Sequence, residues 1–247
     1  MTIKNSTKNE NKKRIALLTG IIPSLIAISL LSTSFPNAEA AQCSSPHCYA
    51  IQLASPSSLS GEKHTEVVTD LTTSTTCPNH NEFINEEGWI VFANGDWVES
   101  GFTQGYLQGN CRTSERNFYA YSSGGVYQEF DTGAVSTGST ENYEMSDTNH
   151  DKAWDVYINS SNVAHFTLAS STASNVQEGE EVSYNSSSAP KTSTTSIQTF
   201  TGSPGSWSNL SSGTNPYQQD SSFGLWIDNC SPNYNHITAG MGGTASC

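Results

Sequence analysis

Basic residues are scarce past Arg14. Of the 10 Lys and Arg in 247 residues, only Lys63, Arg112, Arg116, Lys152 and Lys191 lie beyond it, against 23 Asp and Glu in the whole chain. A surface with so little positive charge cannot neutralise phosphates, which excludes nucleic acid as a partner. Long apolar runs are missing after Leu31, so nothing further along is apolar enough to span a bilayer as a helix. No window sustains an apolar repeat of about 3.6 residues, which argues against a helical architecture. No Gly-x-Ser-x-Gly joins a strand to a helix, which argues against a serine hydrolase. The histidines, His47, His64, His80, His150, His165 and His236, form no His-x-x-x-His pair. Asp147-Thr-Asn-His-Asp151 begins like a calcium loop but lacks the later Gly and Glu, and reads as a polar turn. The expectation is a protein working with no metal and no cofactor.

The N-terminus reads as an export signal. Lys4, Lys8, Lys12, Lys13 and Arg14 precede an apolar run from Ile15 to Leu31, and Ala38-Glu39-Ala40-Ala41 supplies small residues for cleavage. Charge, apolar run and small residues in that order are what a signal peptidase reads. The competing reading, a permanent anchor, is weakened by Gly20 and Pro23 and by the lack of a basic stop-transfer cluster. Residues 1–41 are therefore expected to be a cleaved signal peptide. The mature protein would be secreted, monomeric and free of the membrane. It would keep five basic and 21 acidic residues, a formal net charge of −16.

All 6 cysteines follow the cleavage site, as expected in an oxidising compartment. Nearest-neighbour pairing would join Cys43 to Cys48, Cys77 to Cys111 and Cys230 to Cys247, one of about 15 possible connectivities. A Cys43/His47/Cys48 metal site lacks a second ligand pair at zinc-like spacing. Residues 42–80 are rich in Ser, Thr, Pro and His and read as an N-terminal arm tied down by disulfides. From Phe83 the pattern is strands and turns. Gly88-Trp-Ile-Val-Phe92 and Trp97-Val-Glu-Ser-Gly-Phe-Thr103 flank an Asn94-Gly95 turn, a strong hairpin signal. Asn117–Ser122 with Val126–Phe130, and Ala153–Ile158 with Val163–Leu168, repeat it. Further strands are expected at Val176–Tyr184, Thr195–Thr201 and Phe223–Asp228. Short strands with polar turns predict an all-β fold over residues 81–247, a two-sheet antiparallel β-sandwich or jelly roll.

Carboxylates are poor strand formers, so those inside strands stand out. In Trp97–Thr103, alternation puts Val98, Ser100 and Phe102 on one face and Trp97, Glu99 and Gly101 on the other. If Val98 and Phe102 face the core, Glu99 faces solvent or a groove. Glu178-Gly-Glu-Glu-Val182 is a second acidic strand. Gly179 permits a bulge, which leaves open whether Glu178, Glu180 or Glu181 shares the face of Glu99. Glu129 is a third candidate. The plainer reading is that all of these are solvated outer-face residues.

The segment Gly88–Phe102, with Asn117-Phe-Tyr-Ala-Tyr121 after it, resembles the glutamic-peptidase and neprosin-like group of secreted β-sandwich proteins. Glu99-Ser100-Gly101 matches the strand that carries Glu-Ala-Gly or Gln-Thr-Gly in those families. Gly179-Glu180-Glu181-Val182, before the polar loop Asn185–Pro190, matches the later Gly-x-Glu-Val element and puts the second glutamate on Glu181. The fungal enzymes have Gln where Glu99 stands, so the two-glutamate neprosins are the nearer pattern. The Gly-Cys-Tyr-Asn stretch of plant neprosins is missing. The resemblance implies Glu99 and Glu181 as catalytic residues. Trp97, Tyr119, Tyr121 and Gln177 would be substrate contacts, and a polypeptide the substrate.

Two such carboxyls facing one groove from neighbouring strands would share a proton, so that one activates water while the other donates. Two other readings remain: a non-catalytic sandwich that binds protein or glycan through its tryptophans, and a glycoside hydrolase built on two carboxylates.

Overall fold

The computed structural model describes residues 47–73, 82–183, 189–221, 224–232 and 234–241. The expected signal peptide and Cys43, Cys77 and Cys247 lie outside these. No described cysteine is free; each expected pairing has one partner outside the described residues.

The described residues form strands and no α-helix. One antiparallel sheet has seven strands in the order β13 (Thr214–Gln219), β1 (His47–Ala54), β10 (Asn175–Ser183), β3 (Phe83–Val91), β4 (Trp97–Leu107), β5 (Asn110–Ser123) and β6 (Val126–Ala134). The other has eight, in the order β14 (Leu225–Asn229), β15 (His236–Met241), β11 (Thr192–Gly202), β2 (Leu59–Val67), β7 (Thr140–Ser146), β8 (Ala153–Ile158) and β9 (Ser161–Thr167), with β12 (Gly205–Asn209) paired to β11 off this path. The two sheets make the expected all-β sandwich.

The hairpin of β3 and β4 closes at Asn94-Gly95, where Gly95 takes φ +86° and Phe92 N donates to Asp96 O at 2.9 Å. Glycine adopts that conformation without steric cost. Between the sheets, Ile84, Ile90, Val98, Phe102, Met145, Trp154, Val156, Ile197 and Leu225 are buried in one apolar core. Fully burying side chains of this size contributes roughly 1.5–3 kcal/mol each.

Residues 47–67, read from sequence as part of an arm, do not lie outside the sandwich. β1 pairs with both β10 and β13, and β2 with both β11 and β7. Their alternation was hidden because several inward positions of β2, namely Glu62, His64 and Glu66, are polar yet fully buried.

Candidate active site

β3, β4 and β10 lie side by side, and their register fixes which carboxyls share a face. Trp89 of β3 stands opposite Glu99 on one side and Gln177 on the other. Glu87, two residues earlier, stands between Gly101 of β4 and Gly179 of β10. Asn85 stands opposite Glu181. Since side chains alternate along a strand, Glu99, Trp89, Gln177, Glu87 and Glu181 all point to the outer face of the seven-stranded sheet. Val98, Ser100 and Phe102 point to the core, as expected from alternation.

Glu178 and Glu180 point the other way, between the sheets, and are 1% and 0% exposed. This settles the choice left open in the acidic strand: Glu181 shares the face of Glu99. The register runs through Gly179 without a bulge. Gly179 has φ +144°, and a Cβ there would lie 2.1 Å from Ala50 O.

One expectation needs correction. Glu99 and Glu181 are not on neighbouring strands, because β3 runs between them. Glu87 of β3 fills that gap, so the three carboxyls make one diagonal from β10 to β4. Glu87 escaped notice because Glu86-Glu87-Gly88 precedes the aromatic run. A two-residue step back from Trp89 along the strand would have found it on the face of Glu99.

The glycines on either side of Glu87 make the arrangement possible. A Cβ on Gly101 would lie 1.9 Å from Glu86 O and 2.7 Å from Glu87 Cα. The backbones of β3 and β4 approach too closely there for any other residue.

All three carboxyls are buried: Glu87 0%, Glu99 6% and Glu181 7% exposed. Burial pushes the Glu99 carboxyl well above the ordinary range, the charges of Glu181 and Glu129 add to this, and a hydrogen bond from Trp89 opposes it. Burial likewise raises Glu87, reinforced by the charges of Glu99 and Glu181. These groups hold protons into conditions where an exposed glutamate is ionised. Glu181 accepts a hydrogen bond from Nδ1 of His47. Burial lowers the His47 pKa, but the bond and charge of Glu181 outweigh that and leave it raised.

Rings surround the trio. Tyr49 of β1 lies opposite Glu181, and burial plus the Glu181, Glu87 and Glu99 charges push its hydroxyl far up. Trp97 packs against Tyr127 with ring centroids 5.6 Å apart. The Tyr127 hydroxyl donates to Glu129 at 2.8 Å, and Glu129 lies on the same face, across β5 from Glu99. Gln177 donates from Nε2 to Asn175 Oδ1 at 3.0 Å.

Tyr119 and Tyr121, expected as substrate contacts, occupy the opposite face. They pair with Ser100 and Val98, so they point inward with them. Tyr119 stacks on Phe130 at 4.7 Å and Tyr121 on Phe166 at 4.2 Å. They are packing residues. Ala120, between them, is the one that faces the side of Glu99.

No protein-family model and no curated protein sequence matches the chain. Solved structures do. Scytalido-glutamic peptidase with a peptide-based transition state analogue is similar over 79% of this chain and 98% of its own, at TM-score 0.54 and 11% identity. SCP-B, of the eqolisin family of peptidases and bound to the tripeptide Ala-Ile-His, is similar over the same shares at TM-score 0.54 and 12% identity. The fold is that of these glutamic peptidases.

Proposed function

We propose that the chain is an exported acid endopeptidase of the glutamic type, acting on polypeptides through Glu99, Glu87 and Glu181. The observation that carries this is the buried diagonal of three carboxyls on one sheet face, two of them holding protons above the ordinary range. Glu181, which accepts from His47, serves as the base that takes a proton from water as it attacks the peptide carbonyl. Glu99, and Glu87 behind it, supply the proton that stabilises the developing oxyanion and then passes to the leaving amine. Trp97, Trp89 and Gln177 on the same face position the peptide. The export reading rests on the basic residues, apolar run and small residues of positions 1–41.

A glycosidase works with two carboxyls about 5–5.5 Å or 6.5–9.5 Å apart across a sugar, whereas this face carries a third, Glu87, on the strand between Glu99 and Glu181. That favours the peptidase. The Trp97–Tyr127 pair, with Tyr127 exposed, supports the second reading, a sandwich that binds protein or glycan without cleaving it. Incubating the secreted protein with a denatured protein from about pH 2 to pH 7 and reading the products by mass spectrometry separates the two. New peptides at acid pH support the peptidase, and an intact substrate at every pH leaves the binding module.

A further inference from the structure

Behind the proposed site, between the two sheets, lies a second cluster that the peptidase chemistry does not use. Alternation along β2 points Glu62, His64 and Glu66 inward, opposite Met145, Tyr143 and Glu141 of β7. Glu178 of β10 reaches them from the other sheet. His64 Nδ1 lies 2.9 Å from Glu62 Oε1 and 3.6 Å from Glu178 Oε2. One ligand atom from each of Glu62, His64 and Glu178 falls within 4.8 Å of the others.

Four further features point to a ligand. Both Glu178 oxygens and Glu62 Oε2 are buried and accept no hydrogen bond. Gly88, opposite Glu178 in register, leaves room: a Cβ there would lie 2.9 Å from Glu178 Oε1 and from His64 Nδ1. The His64 ring stacks on Tyr143 at 5.1 Å, which fixes its plane. Its other nitrogen, Nε2, lies 3.3 Å from Glu66 Oε1, where a second carboxylate orients a metal-bound imidazole.

We propose that Glu62, His64 and Glu178 form a structural site for a divalent cation of the Zn2+ or Mn2+ class, joining the two sheets. Atoms bound to one Zn2+ at about 2.0–2.1 Å in tetrahedral array sit roughly 3.3 Å apart, which the two His64 Nδ1 distances bracket. One imidazole and two carboxylates suit a first-row cation of borderline softness better than Mg2+ or Ca2+, which take oxygen alone. The cation replaces the proton between Nδ1 and Glu62, and the two carboxylates balance its charge. Buried carboxylates without compensation are costly, and a cation bridging β2 and β10 supplies that compensation where the sheets meet.

The full secreted chain is unfolded with chelator and refolded near neutral pH with Zn2+, with Mn2+ or with chelator alone. Metal retained through gel filtration is counted by mass spectrometry, and the thermal midpoint is read for each sample. The expected result is about one ion per chain and a higher midpoint with metal than with chelator. Glu178→Gln and His64→Gln should lose the ion, while Glu99→Gln on the outer face keeps it. The proposal is overturned if the wild type retains neither ion, a result independent of whether any variant folds. It is overturned equally if Glu178→Gln binds as well as the wild type, or if the ion departs with Glu99→Gln.

Discussion

At the scale of single residues, Glu181 and Glu99 do different work, and substitution should separate them. Glu181→Gln keeps the size of the side chain and its bond partner His47 but cannot take a proton from water. Hydrolysis at the acid optimum should fall about 10²–10⁴-fold, with the thermal midpoint little changed; full activity in this variant would remove Glu181 from the mechanism. Glu99 holds its proton upward because of burial and the charges of Glu181 and Glu129. Where its protonated form is needed, rate is lost as pH rises through its folded pKa. Gln cannot ionise, so Glu99→Gln should retain part of the rate and extend it to higher pH; kcat/KM profiles of the two proteins show whether the alkaline limb moves. An unmoved limb would hand that proton to Glu87. Glu99 stood out in the sequence as a mid-strand carboxylate followed by Ser100-Gly101, whereas Glu181 was singled out from Glu178 and Glu180 only by the Gly-x-Glu-Val resemblance. Glu87 was not, since its glycine partners, Gly101 and Gly179, belong to other strands. Glu62-Lys-His64-Thr-Glu66 also passed unread, although period-2 alternation alone puts its acids and imidazole on one face.

At the scale of strands, the three hairpins β3–β4, β5–β6 and β8–β9 were readable from aromatic runs around Gly and Asn turns. β1, β2, β7, β13 and β15 were not. Their inward positions mix Glu, His, Gln, Thr and Ala with few large apolar side chains, so hydrophobic alternation, the signal a sequence offers, is faint. β10 shows the reason in one element: its inner residues include Glu178 and Glu180, its outer ones Gln177 and Glu181, and nearly all are buried. Such a strand is legible only once its neighbours are known. Those neighbours are held close by glycine. Gly101→Ala would set a Cβ 1.9 Å from Glu86 O, against backbone that cannot swing aside. Forced repacking of that kind costs about 1–3 kcal/mol. Urea unfolding should show a loss in that range, and because β3 must shift away, activity should fall as well; a fully active, equally stable Ala variant would mean the strands are farther apart than described.

For the whole molecule, the decisive feature is how many carboxyls lie between the sheets. Glu86 and Glu180 are direct cross-strand partners on β3 and β10, both 0% exposed. Burial pushes Glu180 from its ordinary 4.5 up to about 8, against the opposing bond from Glu86. Burial, then the charge of Glu180 and the bond shared with it, raises Glu86 well above 4.5. In the unfolded chain both ionise near the ordinary value. A group whose folded pKa is raised binds its proton more tightly when folded, so the stability it contributes is complete below about pH 4.5 and drains away as pH rises toward about 8. The fold and the proposed chemistry therefore favour the same acid range: protons that neutralise the interior in acid are drawn from the medium in which Glu99 and Glu87 are also protonated. Thermal midpoints measured with chelator present, so that no cation acts on the neighbouring Glu178, should fall steadily across that window. Glu180→Gln removes one of the two titrations and keeps a hydrogen-bonding group beside Glu86, so its midpoint should fall less steeply over the same range. A wild-type midpoint that climbs between pH 4.5 and pH 8 would mean that the inter-sheet glutamates fold ionised, with something other than protons holding their charge.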